Sequence, residues 1–250
     1  MTEAYKAAWP LLNRVFKAFF WSNVFAGRYD QGFLTLFSSD LKELRRILRQ
    51  YRTYGDREQW AKLIDKEFDA TTFVGTASRA TRDEIKQDLL NGELRGAKKQ
   101  ALTLFLLSST RTDFATSDKL DYLTEDKDRR VQLHHIFPKR WCGDNKGSHS
   151  LLAENPDIVN CFANLIPLTA ASNNAWMTRS PSTAIQHFNL MFDDKDARFS
   201  NAFIDRQMFQ TLSQPNPDPE RFWDQRASLL AQRLYSLQFV SATKAPIAST

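Results

Sequence analysis

Four histidines occur in this 250-residue chain, and two stand side by side in Gln132-Leu133-His134-His135-Ile136-Phe137-Pro138-Lys139-Arg140-Trp141. A neutral imidazole ligates divalent metals and, near pH 7, takes a proton from water. Adjacent side chains on a strand point to opposite faces. Two histidines serving one phosphate therefore need a strand end or bend, where one ring holds a metal and the other accepts a proton. A second stretch runs Ala163-Asn164-Leu165-Ile166-Pro167-Leu168-Thr169-Ala170-Ala171-Ser172-Asn173-Asn174. Leu165, Ile166 and Leu168 predict a short apolar strand, Thr169 a helix N-cap, and Asn173 and Asn174 the first turn or so of the helix that follows. An amide oxygen there aims back toward a metal, and oxygen with imidazole donors suits Mg²⁺, Mn²⁺ or similar ions. Strand, loop, strand, helix, with histidine on the strand and asparagine on the helix, is a ββα-metal layout.

His134-His135-Ile136-Phe137-Pro138, then Asn164-Leu165-Ile166-Pro167-Leu168-Thr169, then Asn173 nine residues after Asn164, closely resemble the HNH core of GmrSD-type restriction endonucleases. These are modification-dependent, anti-phage DNA-cutting proteins, with the phosphorothioate-sensing SspE-like nucleases as relatives. Arg179-Ser180-Pro181-Ser182 and the run from Phe20 to Tyr29 also resemble that family, so the likeness touches both ends of residues 15–190. It implies a metal-dependent DNA endonuclease of a restriction system, nicking one strand by phosphodiester hydrolysis. In this reading His134 is the first metal ligand, where many relatives use Asp or Glu, and His135 is the general base. Asn164 holds the loop so that the base points correctly. Asn173 is the second ligand, with Asn174 the second choice. One divalent ion is implied, Mg²⁺ or Mn²⁺ first; the neutral imidazole at the first ligand also admits Ni²⁺ or Zn²⁺. Full-length relatives usually carry a nucleotide-hydrolysing module with an Asp-Gly-Gln-Gln-Arg signature. This sequence has no such run and no P-loop. The expected partners are thus DNA and either a separate nucleotide-hydrolysing or modification-sensing protein or an N-terminal domain missing from the chain. The residue types also admit a non-cutting nucleic-acid-binding or regulatory helical module, or an RNA-directed nuclease toxin.

The elements that position these residues read as mainly α, with the small ββα-metal motif embedded, α+β overall. Helical spacing predicts helices over residues 3–24, 39–54, 57–68, 81–91 and 97–108, then 181–191, 199–212 and 219–239. Ser39 or Asp40 is the expected cap of the second, whose other face carries Lys42, Arg45, Arg46, Arg49 and Arg52, read as a solvated face. Four segments follow: a helical domain over 1–125, the HNH core over 126–192, C-terminal helices over 193–240 and a frayed tail over 241–250. Phe16, Phe19, Phe20, Trp21 and Phe25 form an aromatic stripe expected in a core. Lys139 and Arg140 are candidate DNA-phosphate contacts, Trp141 a packing residue, His149 a solvent-exposed loop residue, and His187 a core or surface residue rather than a third ligand.

Net charge of +5 and a pI near 9.2 permit binding to a polyanion without establishing it. Cys142 and Cys161 form no CxxC pair, which excludes a four-cysteine zinc site and argues against a disulfide framework. With no apolar run of about 18 residues and no signal-peptide layout, a cytoplasmic, membrane-free protein is expected.

Overall fold

Apolar residues at three- and four-residue spacing build helices through most of the chain. The computed structural model describes residues 3–29, 33–50, 56–70 and 79–241. Among them the protein is mainly helical, with a single two-stranded sheet. The chain divides into two units, one of residues 1–85, 96–98 and 231–250, the other of residues 86–95 and 99–230.

In the first unit, α1 (Glu3–Phe25), α2 (Phe33–Gln50) and α3 (Arg57–Ala70) bury Val15, Phe19, Leu44, Ile47, Ile64 and Phe68 in one cluster that Val240 joins. Asp65, fully buried on α3, accepts from the backbone N–H groups of Val240 and Ser241 at 2.9 and 2.8 Å. Helix α2 starts six residues earlier than the sequence predicts. Asp40 does not cap it, because its carboxylate is taken by Arg28 (2.7 and 2.9 Å) and the Tyr29 hydroxyl (2.8 Å). The aromatic stripe splits: Phe19, Trp21 and Phe25 are buried, whereas Phe16 and Phe20 stay 46% and 44% exposed. On the basic face of α2, Arg46 pairs with Glu43 and Glu67, as a solvated face does. Arg52, with predicted helical positions 51–54, and tail residues 242–250 lie outside the described residues.

Next come α4 (Arg82–Leu90) and α5 (Gly96–Ser109). Thr81 and Glu84 start α4 with a reciprocal capping box, each side chain accepting from the other's backbone N–H.

The second unit holds the sheet. β1 (Val131–His135) pairs antiparallel with β2 (Leu165–Thr169), His134 opposite Ile166 and His135 opposite Leu165. The intervening loop folds into α6 (Lys139–Asn145), α7 (Ser150–Glu154) and 3-10 turns at Pro156–Asn160 and Phe162–Asn164, elements the sequence pattern did not predict. α8 (Ala170–Trp176) leaves β2 directly, with Thr169 as its N-cap accepting from the Ser172 N–H. α9 (Pro181–His187) ends four residues short of the predicted Met191. The helix predicted over 199–212 is two, α10 (Ala197–Ala202) and α11 (Arg206–Leu212). Phe203 at φ +55° breaks the first and Asp205 caps the second. α12 (Pro219–Ser236) supplies Phe222 and Trp223, whose rings pack 5.5 and 5.8 Å from Phe137 just beyond β1.

Candidate active site

Strand alternation sorts the residues of β1 before any tertiary contact does. Gln132 and His134 share one face, Leu133 and His135 the other. On the first face, His134 Nδ1 lies 2.6 Å from Asn173 Oδ1. The Asn173 amide donates to Gln132 Oε1 at 2.5 Å, and so its oxygen is turned toward the imidazole. The N-capped start of α8 places Asn173 in the first helical turn, and Asn174, one position on, is exposed. The structure thus brings Asn173, not Asn174, to His134. Gln132 is a partner that sequence reading missed, although its place two residues before His134 on a strand was a usable signal.

His134 is 4% exposed, its ring centroid 5.0 Å from that of Trp176, and its Nε2 is buried without a hydrogen-bond partner. An imidazole nitrogen and an amide oxygen at 2.6 Å are both lone-pair atoms, so a proton or a cation must lie with them. The pair suits a divalent ion, since an oxygen and a nitrogen donor already converge and both lone pairs would be available once Nδ1 carries no proton. No group of three or more His, Cys, Asp or Glu side chains suited to a metal exists among the described residues. An ion held here would have two side-chain donors and would need further ligands from water or substrate oxygens.

Burial, opposed by the Asn173 hydrogen bond, pushes His134 down to about 4. The unfolded chain, near the ordinary 6.5, therefore takes up the proton first. Stability carried by neutral His134 is complete above pH 6.5 and is lost as pH falls toward 4, at up to about 1.4 kcal/mol per pH unit. In EDTA, the urea midpoint is expected to fall between pH 6.5 and 5, and the H134N variant is expected to flatten that slope. An unchanged slope in H134N would assign the acid sensitivity to other groups.

His135 closes β1 on the opposite face and lines a cleft of about 410 Å³ with Asn91, Glu93, Arg95, Lys99, Asp157 and Asn160. Burial foremost, then the positive charge of Lys139, holds it down at about 4 against a hydrogen bond with the Asn160 side chain. It is neutral at pH 7. The two histidines therefore do not share a face.

Asn164, fully buried, binds that strand end. Its Oδ1 accepts from the Phe137 N–H at 2.8 Å, and its amide donates to the carbonyls of Phe137 (3.0 Å) and Val159 (2.8 Å). Its backbone carbonyl accepts from the Ile136 N–H at 2.8 Å. The residues on either side of Asn164 are pinned in turn. Arg226 of α12, wholly buried, donates to the carbonyls of Ala163 (2.8 Å), Leu165 (2.9 Å) and Ala202 (2.9 Å). Asp113, also buried, accepts from the N–H of the α8 cap Thr169 at 2.7 Å. Nothing in the sequence pattern singled out Arg226 or Asp113.

Lys139 and Arg140 open α6 and are exposed, Arg140 Nε lying 3.9 Å from an Asp144 carboxylate oxygen. His149 is half-buried rather than solvent-exposed, because its ring packs 6.0 Å from that of Trp141. His187 is exposed against Phe188. Burial pushes the thiols of Cys142 and Cys161 up to about 12, which leaves both protonated and inert.

A model of the family described as GmrSD restriction endonucleases, C-terminal domain, matches residues 80–233, more than half of the chain. The class is that of DNA-cutting hydrolases. This chain belongs to the GmrSD restriction endonuclease C-terminal-domain family. No curated protein and no solved structure matches it. No helix among the described residues is long and apolar enough to cross a membrane.

Proposed function

We propose that this chain nicks DNA by phosphodiester hydrolysis at an HNH-type ββα site, as the nuclease part of a GmrSD-type anti-phage restriction system in the cytoplasm. The observation that carries the reading is the Gln132, Asn173, His134 chain on one face of β1, with neutral His135 ending the same strand. His134 Nδ1 and Asn173 Oδ1 hold one divalent cation, with Mg²⁺ or Mn²⁺ the first candidates and Ni²⁺ or Zn²⁺ admitted by the imidazole. When bound, the cation would supply positive charge that offsets the negative charge growing on the phosphate in the transition state. A phosphodiester seated at the strand end meets both faces of β1. There His135 takes the proton of a water as its oxygen bonds to phosphorus. The P–O3′ bond breaks, and the 3′ oxygen is protonated from solvent, leaving 5′-phosphate and 3′-hydroxyl ends. Asn164 fixes the strand exit that aims His135. Lys139 and Arg140 contact neighbouring phosphates. Recognition of a modification and nucleotide hydrolysis belong to a partner protein or domain.

One site cuts one strand, so supercoiled plasmid is expected to pass through open circles before linear product, with Mg²⁺, Mn²⁺ or Ni²⁺ and not in EDTA. Linear product without open circles would remove the single-site nicking. Cutting that persists in EDTA, or no cutting of plain or modified DNA with any cation, would remove the proposed chemistry.

A further inference from the structure

We propose that Arg95 and Lys99 grip successive phosphates of the DNA strand beside the cut, so that the backbone lies along one face of α5. The inference rests on the reading of His135 as the base and adds where the uncut part of the strand runs. A base acts on one phosphate of a long polyanion only if neighbouring phosphates hold that one in place. Lys139 and Arg140 of α6 do not line the cleft into which His135 faces, so any grip on the strand there comes from other cations.

All the residues that line this cleft belong to the second unit. Arg95 stands in extended backbone directly before α5, and Lys99 and Thr103 follow it at four-residue steps. Such steps keep side chains on one helix face, about 6 Å apart along the axis. Successive phosphates of one strand are spaced on the same scale, so the row offers two cations and a hydroxyl in step with a backbone. Both cations are exposed, and among the described residues neither side chain forms an ion pair or a hydrogen bond. Yet Glu93 and Asp157 line the same cleft. Cations serving only the fold would pair with those carboxylates; these two are left for an anion from outside. The carboxylates repel phosphate from their own positions and so confine the strand to the α5 row. The cleft is also held to shape. Gly92 presses on the 3-10 turn Pro156–Asn160, where an added Cβ would collide with the Asp157 carbonyl. That approach ties the segment carrying Arg95 to the turn carrying Asp157, and only glycine permits it.

Binding of a short fluorescein-labelled DNA duplex in EDTA, read by anisotropy across a salt series, tests this without relying on turnover. R95Q and K99Q are each expected to bind about 2–5-fold more weakly at low salt, the scale of one exposed charge pair. Each is also expected to make the slope of log K against log salt shallower by about 1, the signature of one lost phosphate contact. E93Q and D157N are expected to bind more tightly, because each removes a negative charge beside the same phosphates. K195Q removes an exposed lysine outside the cleft and is expected to leave the slope unchanged. Under nicking conditions R95Q and K99Q are expected to raise KM with kcat little changed. Wild-type slopes in R95Q and K99Q, with the wild type binding and nicking normally, would overturn the proposal. So would equal slope losses in K195Q, or weaker binding by E93Q. If H135A nicks at the wild-type rate while R95Q and K99Q lose slope as expected, the base reading fails and the phosphate row stands. Wild-type protein that binds no DNA removes both.

Discussion

Replacing Arg226 with methionine is expected to lower unfolding stability by about 3 kcal/mol and to weaken nicking in the molecules that remain folded. The guanidinium is wholly buried, and burial holds it down at about 9, so it is still charged at pH 7. The carbonyls of Ala163, Leu165 and Ala202 offset its desolvation in place of a carboxylate. Methionine fills similar space and removes the cost of the ion, but strands those acceptors, each at roughly 1–3 kcal/mol when buried. The carbonyl losses exceed the relief, and two of them flank Asn164, whose amide holds the exit of β1. Lysine at 226 keeps the charge but not the planar fork, and recovers only part. Urea unfolding at pH 7, with nicking assayed on the same preparations, gives both readings. A midpoint unchanged to within about 0.5 kcal/mol, about the scatter of neutral surface changes, would show that the bonds merely break even with burial of the ion.

The contrast between Arg226 and Asn173 shows what the sequence carried. Asn173 could be found because its role is local. Thr169 caps a helix, the strand before it is apolar, and the count from the cap puts the amide in the first turn. The same local logic recovers β1, β2 and most helices, whose apolar spacing is written along the chain. It fails where a distant contact overrides it. Asp40 looks like a helix cap until Arg28 and Tyr29 claim its carboxylate. The helix over 199–212 looks continuous until Phe203 turns left-handed. Arg226 reads as one more cation on an amphipathic helix, since nothing near it in sequence says that three carbonyls wait across the fold. His135 is intermediate. Its residue type suggested a proton acceptor, and alternation already warned that it faces away from His134. Part of the cleft it lines comes from Asn91 to Arg95 and from Asp157 and Asn160, in two segments without a periodic signal.

His135→Ala is expected to cost about 10²–10⁴-fold in nicking rate, the usual contribution of general-base catalysis, and no added cation is expected to restore it. Asn173→Ala is expected to lose activity as well, but with partial recovery as Mn²⁺ is raised. On the proposed assignment the two differ because the two faces of β1 do different work. Removing the imidazole at 135 deletes the proton acceptor, and a higher occupancy of the opposite face does nothing for a water that keeps its proton. Removing the amide at 173 leaves His134 Nδ1 as one donor where there were two, so the loss is one of affinity, which mass action offsets. Gln132→Ala belongs with the second variant in smaller measure, because Gln132 Oε1 holds the Asn173 amide in the orientation that turns Oδ1 to His134. Initial rates on supercoiled plasmid across a Mn²⁺ titration separate the cases. Recovery of H135A by cation would move His135 from base to ligand. Failure of N173A to recover at any concentration, with its fold intact, would take Asn173 out of the cation's coordination and leave it a structural partner of His134.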